Sequence, residues 1–225
     1  AGVDVGADLS TWGRVRVGSV WSRVDARVDT GSPVLPSIKE TTAGPRATLF
    51  VDQTDHAFFP TKGYRATASA YAAMESFGSA QSYRRLEGSI QGASSWGPHT
   101  LSYAVSGGTD VDSDMPAYES FLLGGPLRLS GYRVNQFAGD RYAFGRLMYY
   151  KQAIHLPEIL GSGVYFGGSA EVGRVSQRAG NLSDPGTLWS GSVFVSADTF
   201  LGPLYFGFGG GGAGNWSLYL LLGRP

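Results

Sequence analysis

Phe121-Leu-Leu-Gly-Gly-Pro-Leu-Arg-Leu-Ser-Gly-Tyr132 decides how the rest of this chain is read. It lies within a connection running roughly from Asp112 to Asp140, between segments in which apolar and polar residues alternate. Compact domains seldom carry so long a connection without a use for it. Its Gly and Pro content predicts a packed, specifically shaped loop rather than a tether. The flanking segments have a two-residue rhythm, the period of a β-strand with one face in each of two environments. Together these features predict a loop folded back into the lumen of an antiparallel transmembrane β-barrel.

The rhythm is clearest at Ser82–Trp96. Tyr83, Arg85, Glu87, Ser89 and Gln91 share one face; Leu86, Gly88, Ile90, Gly92 and Trp96 share the other. A helix would scatter these charges around its circumference, whereas a strand sorts them. The same sorting sets Leu101, Tyr103 and Val105 against Ser102, Ala104 and Ser106. It sets Val164, Phe166, Ala170 and Val172 against Tyr165, Ser169 and Glu171. It sets Trp189, Val193, Val195 and Ala197 against Ser190, Ser192, Ser196 and Asp198. Eleven strands are predicted, beginning with Gly2–Leu9 and Arg14 to about Val28. A loop is expected over Thr30–Gly44, a strand over Arg46–Phe58, a turn at Phe59–Gly63 and further turns at Leu201–Pro203 and Gly209–Gly214. The last strand is Trp216–Leu222.

Short turns near 10–13, 59–63, 97–99, 156–161 and 200–203 alternate with longer connections near 29–44, 76–81, 112–140 and 178–186. That asymmetry is the pattern of outer-membrane barrels. Such barrels average their hydropathy away, so 42% hydrophobic residues and a mean hydropathy of −0.08 fit a membrane wall. No apolar run is long enough for a spanning helix. Zero formal net charge gives no bulk field for nucleic acid, and the lack of cysteine excludes disulfides and thiolate metal sites. His56, His99 and His155 lie far apart without ligand spacing. The Gly207–Gly214 run lacks the Lys-Ser/Thr of a phosphate loop, and no Gly-x-Ser-x-Gly elbow is present. No catalytic residue, cofactor or metal is therefore expected. Trp96, Tyr103, Trp189 and Trp216 are expected in interfacial girdles.

Phe121-Leu-Leu-Gly-Gly followed by Leu129-Ser-Gly-Tyr132, with five strands after it, resembles the bacterial surface antigen outer-membrane barrel superfamily (BamA/TamA-like). Asp52 with Phe59-Pro-Thr-Lys-Gly63 is similar to an earlier turn of that family. Ser169-Ala-Glu-Val-Gly173 and Ser196-Ala-Asp-Thr-Phe-Leu-Gly-Pro203 are similar to its late-strand motifs. Within the superfamily the resemblance leans toward the C-terminal barrel of patatin-like autotransporter phospholipases. It implies a barrel domain over residues 1–225, part of a 12- to 16-stranded wall with strands or domains upstream.

The implied place is a bacterial outer membrane. The implied partners are its lipid, a secreted or inserted polypeptide and a second copy in a homo-oligomer. The implied work is protein secretion, translocation or membrane-protein assembly. A passive pore or anchor, and the barrel part of a patatin-type lipase, are the alternatives. The implied lumen motif is Gly124, Gly125, Arg128, Ser130, Gly131 and Tyr132. The family places an Arg directly before its Gly-aromatic pair, where this chain has Ser130. In an extended loop Arg128 would project to the same side. It is therefore expected to pair with Glu171, Asp198 or both, which have inward parity; Arg133, of opposite parity, is the competing cation.

Overall fold

The computed structural model describes residues 1–26, 38–111, 115–155, 163–176, 184–199 and 201–223. Eleven strands form one antiparallel sheet, each hydrogen-bonded to its neighbours in chain order: β1 (Gly2–Leu9), β2 (Gly13–Ala26), β3 (Ile38–Asp52), β4 (Lys62–Ala73), β5 (Tyr83–Trp96), β6 (His99–Asp110), β9 (Arg141–His155), β10 (Gly163–Ser176), β11 (Thr187–Thr199), β12 (Gly202–Gly211) and β13 (Trp216–Leu222). A small hairpin, β7 (Phe121–Leu123) with β8 (Phe137–Gly139), is set into the connection between β6 and β9. The fold is an all-β, antiparallel barrel wall.

Alternation fixes the two faces. Leu86, Ile90, Trp189, Val193, Val195, Phe206, Leu218 and Leu220 are exposed on the outside, while Tyr83, Tyr142, Tyr150, Tyr165, Tyr205 and Tyr219 are buried within. In water such an apolar exterior would promote association; in a bilayer it meets solvent of its own kind. Pairing each strand with its neighbours in chain order satisfies in the ladders backbone groups that lipid could not. Trp96 lies at the short-turn end of β5, and Trp189 and Trp216 lie toward the opposite rim. Tyr103 differs from the girdle expectation: it lies in mid-strand on β6, its ring covering Gly92 of β5.

The boundaries depart from the sequence reading in three places. The loop expected over Thr30–Gly44 gives way to strand from Ile38, because β2 pairs with all of 38–51. Pro45 has no N–H to donate, and the ladder between β3 and β4 begins only at Arg46. A segment paired mainly on one side can thus carry Pro and Thr. The strand expected to reach Phe58 stops at Asp52, whose carboxylate accepts from Thr54 N–H at 3.1 Å and Thr54 Oγ1 at 2.6 Å, starting a turn. At the other end of the chain, Gly202, Pro203 and Gly209–Gly211 belong to β12 rather than to turns. The turn expected at Leu156–Gly161 and most of the loop at Arg178–Gly186 lie outside the described residues.

Candidate lumen-loop site

The connection between β6 and β9 leaves the long-loop rim and descends inside the barrel. Its base is tied to the wall by charge. Arg85 on β5 donates to the Glu119 carbonyl at 3.1 Å and lies within 3.3 Å of the Glu119 and Glu87 carboxylates. The same guanidinium lies 4.2 Å over the Phe121 ring, a cation–π contact. Tyr118 donates its hydroxyl to Glu40 at 2.8 Å. Burial raises the Tyr118 phenol above its ordinary pKa, and the adjacent Glu40 acts the same way.

Below the base, the β7–β8 hairpin carries the chain to Gly124 and Gly125. Their φ angles of 124° and 111° double the loop back against Arg133 and Val134. The tip follows. Leu127 and Leu129 have φ of 56° and 79°, conformations that L-residues rarely adopt. Leu127, Leu129 and Ser130 are fully buried. Leu129 packs with Leu123, Phe144 and Val175 in one apolar cluster. Leu127 packs with Phe59, Met148, Tyr165 and Phe194 in another.

Glu171 on β10 forms the seat beneath the tip. Its Oε2 accepts from Leu129 N–H at 2.8 Å and Ser130 N–H at 2.6 Å; its Oε1 accepts from Ser130 Oγ at 2.7 Å and Ser169 Oγ at 2.5 Å. Ser130 Oγ in turn accepts from Leu127 N–H at 2.9 Å. A carboxylate with four donors is well compensated for its burial. Directly across the strand pair from Glu171 stands Arg146 of β9, whose Nη1 donates to the Leu127 carbonyl at 2.9 Å. The wall thus supplies both charges, and the loop answers mostly with backbone groups.

That arrangement corrects the expected pairing. Arg128 makes no ion pair with Glu171 or Asp198; it faces a cavity shared with Glu87, Tyr142 and Arg146. The parity argument assumed extended backbone. The positive φ of Leu127 and Leu129, with a turn closed by Arg128 N–H on the Gly125 carbonyl at 3.0 Å, destroys the alternation. Asp198, paired in register with Pro203 at the far end of the β11–β12 hairpin, is not part of the seat. Arg133, the competing cation, is exposed, and its N–H donates to Gln136 Oε1 at 2.9 Å.

The rest of the motif lies on the last strands. Gly131 N–H donates to Ser190 Oγ at 2.7 Å, and Ser217 Oγ on β13 donates to the Ser130 carbonyl. An ideal Cβ on Gly131 would stand 2.2 Å from the Gly211 nitrogen; one on Gly209 would stand 2.2 Å from the Ser130 oxygen. Backbone therefore meets backbone here, and the Gly-rich end of β12 is the flat bed on which the loop rests. Tyr132 covers Gly211 and packs edge-on to Phe137 at 5.2 Å. The sequence reading missed Arg146, Ser190, Ser217 and this bed. The signal that was available is the inward parity of the first three.

From the opposite rim, the β3–β4 turn folds inward to meet the tip. Arg65 binds Asp52 at 2.6 Å, and Asp55 accepts from Thr61 N–H at 2.8 Å and Lys62 N–H at 3.2 Å, with Thr61 Oγ1 also donating to it. Burial works to raise the Asp55 pKa, but these hydrogen bonds outweigh it and leave the carboxyl below its ordinary range. The turn so fixed places Phe59 in the bore, stacked on Tyr165 at 4.4 Å and edge-on to Tyr150 at 5.8 Å. Tyr150 donates its hydroxyl to the Pro60 carbonyl at 2.8 Å. Among the described residues no group of three or more His, Asp or Glu is placed to hold a metal ion.

The profile of the Omp85 superfamily domain matches residues 1–197. The crystal structure of BamA from Haemophilus ducreyi lacking POTRA domains 1-3 superposes on this chain with a TM-score of 0.75 at 12% identity, covering 96% of this chain and 52% of that one. The chain spans about half the length of that relative, and at such identity the likeness is one of fold. No curated protein sequence matches the chain.

Proposed function

The chain belongs to the Omp85 superfamily of outer-membrane barrels, and from that premise we propose that it secretes, translocates or assembles polypeptide at the bacterial outer membrane. The observation that carries this reading is the seat of the lumen loop. One buried carboxylate, Glu171, holds two backbone amides and a hydroxyl of the tip, and the same tip touches the last strand through Ser217. A loop that served only to fill space would need apolar packing alone. Here a polar latch couples the plug to β10 and β13, so displacement of the tip alters support for the wall's final strands. The work is conformational; no bond in a substrate is made or broken.

The finer reading is a barrel that anchors or exports a domain carried by the same polypeptide, as in patatin-like autotransporters. The second reading, a passive anchor, draws on the bore's second obstruction, in which Phe59 from one rim meets Leu127 from the other. Conductance of the full-length protein in planar bilayers separates the two. Removing the tip between Gly125 and Val134 should open large, long-lived channels in a translocator and raise its export of a passenger or insertion of a client. Unchanged conductance and unchanged client handling would refute the translocation reading.

A further inference from the structure

We propose that the bore contains a built site for one small oxyanion, a phosphate or a carboxylate, held between Arg46, Arg128 and Arg146. The three line one cavity of about 480 Å³ beside the loop tip. They come from separate elements: Arg46 from β3, Arg128 from the loop and Arg146 from β9. The guanidinium groups of Arg46 and Arg128, unlike their backbones, form no hydrogen bond or ion pair with the described residues. Arg146 is more than nine-tenths buried, yet its Nε has no hydrogen-bond partner. A buried guanidinium with an open N–H is uncommon and leaves the Arg146 charge only partly compensated by the protein. The cavity's own carboxylate, Glu87, is already engaged by Arg85 at 3.3 Å and by the Tyr142 hydroxyl at 3.0 Å. Glu171 offsets part of the Arg146 charge from across the strand pair, but its oxygens are occupied by the loop and Ser169.

What remains is an excess of cationic forks facing a cavity of mixed lining, with Thr48 and Ser69 among its polar residues. Guanidinium forks match carboxylate and phosphate oxygens in pairs, so a group of that class fits better than a halide. An anion here would bridge the loop tip to two walls and add to the seat at Glu171. The inference concerns binding by the folded barrel and is independent of whether the barrel exports protein.

The test uses the full-length protein folded in detergent, titrated with inorganic phosphate in low-chloride buffer by calorimetry. Saturable one-to-one binding in the millimolar range or tighter is expected, weakened at least about tenfold in Arg46→Gln/Arg128→Gln. Arg174→Gln, which removes only an exposed pair with Asp184, should leave it unchanged. Heat-modifiable migration and strand content establish that each variant is folded, and the two single Gln variants serve if the double variant is not. Competition by acetate would extend the site to carboxylates, and its failure would restrict it to phosphate; both support the site. Absence of saturable binding to the wild type, or equal binding by the folded Arg variants, would overturn it.

Discussion

Replacing Glu171 by Ala removes the acceptor for Leu129 N–H, Ser130 N–H and Ser130 Oγ together. Each hydrogen bond to a charged group contributes on the order of 1.5–3 kcal/mol, and the orphaned amides add a desolvation cost. Non-additivity within one network brings the sum down to about 3–6 kcal/mol for the local seat. The variant also leaves Arg146 buried without its cross-strand carboxylate. Glu171→Gln keeps an acceptor for the two amides and presents an NH₂ to hydroxyls that can rotate, so its cost is nearer about 1–2 kcal/mol. At 1.4 kcal/mol per tenfold, protection of the Leu129 and Ser130 amides against hydrogen exchange should fall by roughly 10² to 10⁴ in the Ala variant and roughly tenfold in the Gln variant. Amides in the centres of β5 and β11 should be unaffected. Arg128→Ala should change the loop's protection little, because Arg128 makes no contact with the seat. Protection of Leu129 and Ser130 within about threefold of wild type in Glu171→Ala, or a large loss in Arg128→Ala, would refute the latch.

Gly131→Ala should lift the loop from β12, since the new Cβ would overlap the Gly211 backbone; faster proteolytic cleavage of the 121–139 segment in the folded barrel reports it. Val193→Arg places a charge on the outer face of mid-β11, where Val193 is exposed; a loss of about 2–4 kcal/mol in urea-induced unfolding from lipid bilayers is expected if that face meets lipid. For Asp55, the folded carboxyl titrates below its unfolded value. Its contribution is therefore present above the ordinary carboxylate range near pH 4 and is lost as pH falls through the depressed value. Exchange protection of Thr61 and Lys62, corrected for intrinsic rates, should decline on acidification through that window and be nearly flat in Asp55→Asn.

The sequence was sufficient for the wall because its information is local and repeats every two residues. Arg85, Glu87 and Ser89 alternate with Leu86, Gly88 and Ile90, and each parity has one place to go when lipid is on one side and a polar bore on the other. Residues 38–44 were harder to read, since a strand tied mainly to β2 tolerates Pro and Thr that normally mark loops. Glu171 was legible as an inward acid within a family-like motif. Its partner was not. Backbone amides have no letter in a sequence, and the conformation that aims Leu129 and Ser130 N–H at one carboxylate uses positive φ at leucine, which propensity argues against.

Which side chain is inside a barrel is thus a one-dimensional property of this chain, fixed by parity alone. Which inward groups meet depends on register between strands and on how a loop of about 30 residues packs. Arg146 stands opposite Glu171 because β9 and β10 pair in one register. Gly131 reaches the β12 backbone because neither partner has a Cβ in the way. Those contacts join residues tens of positions apart, so only the folded wall could decide them.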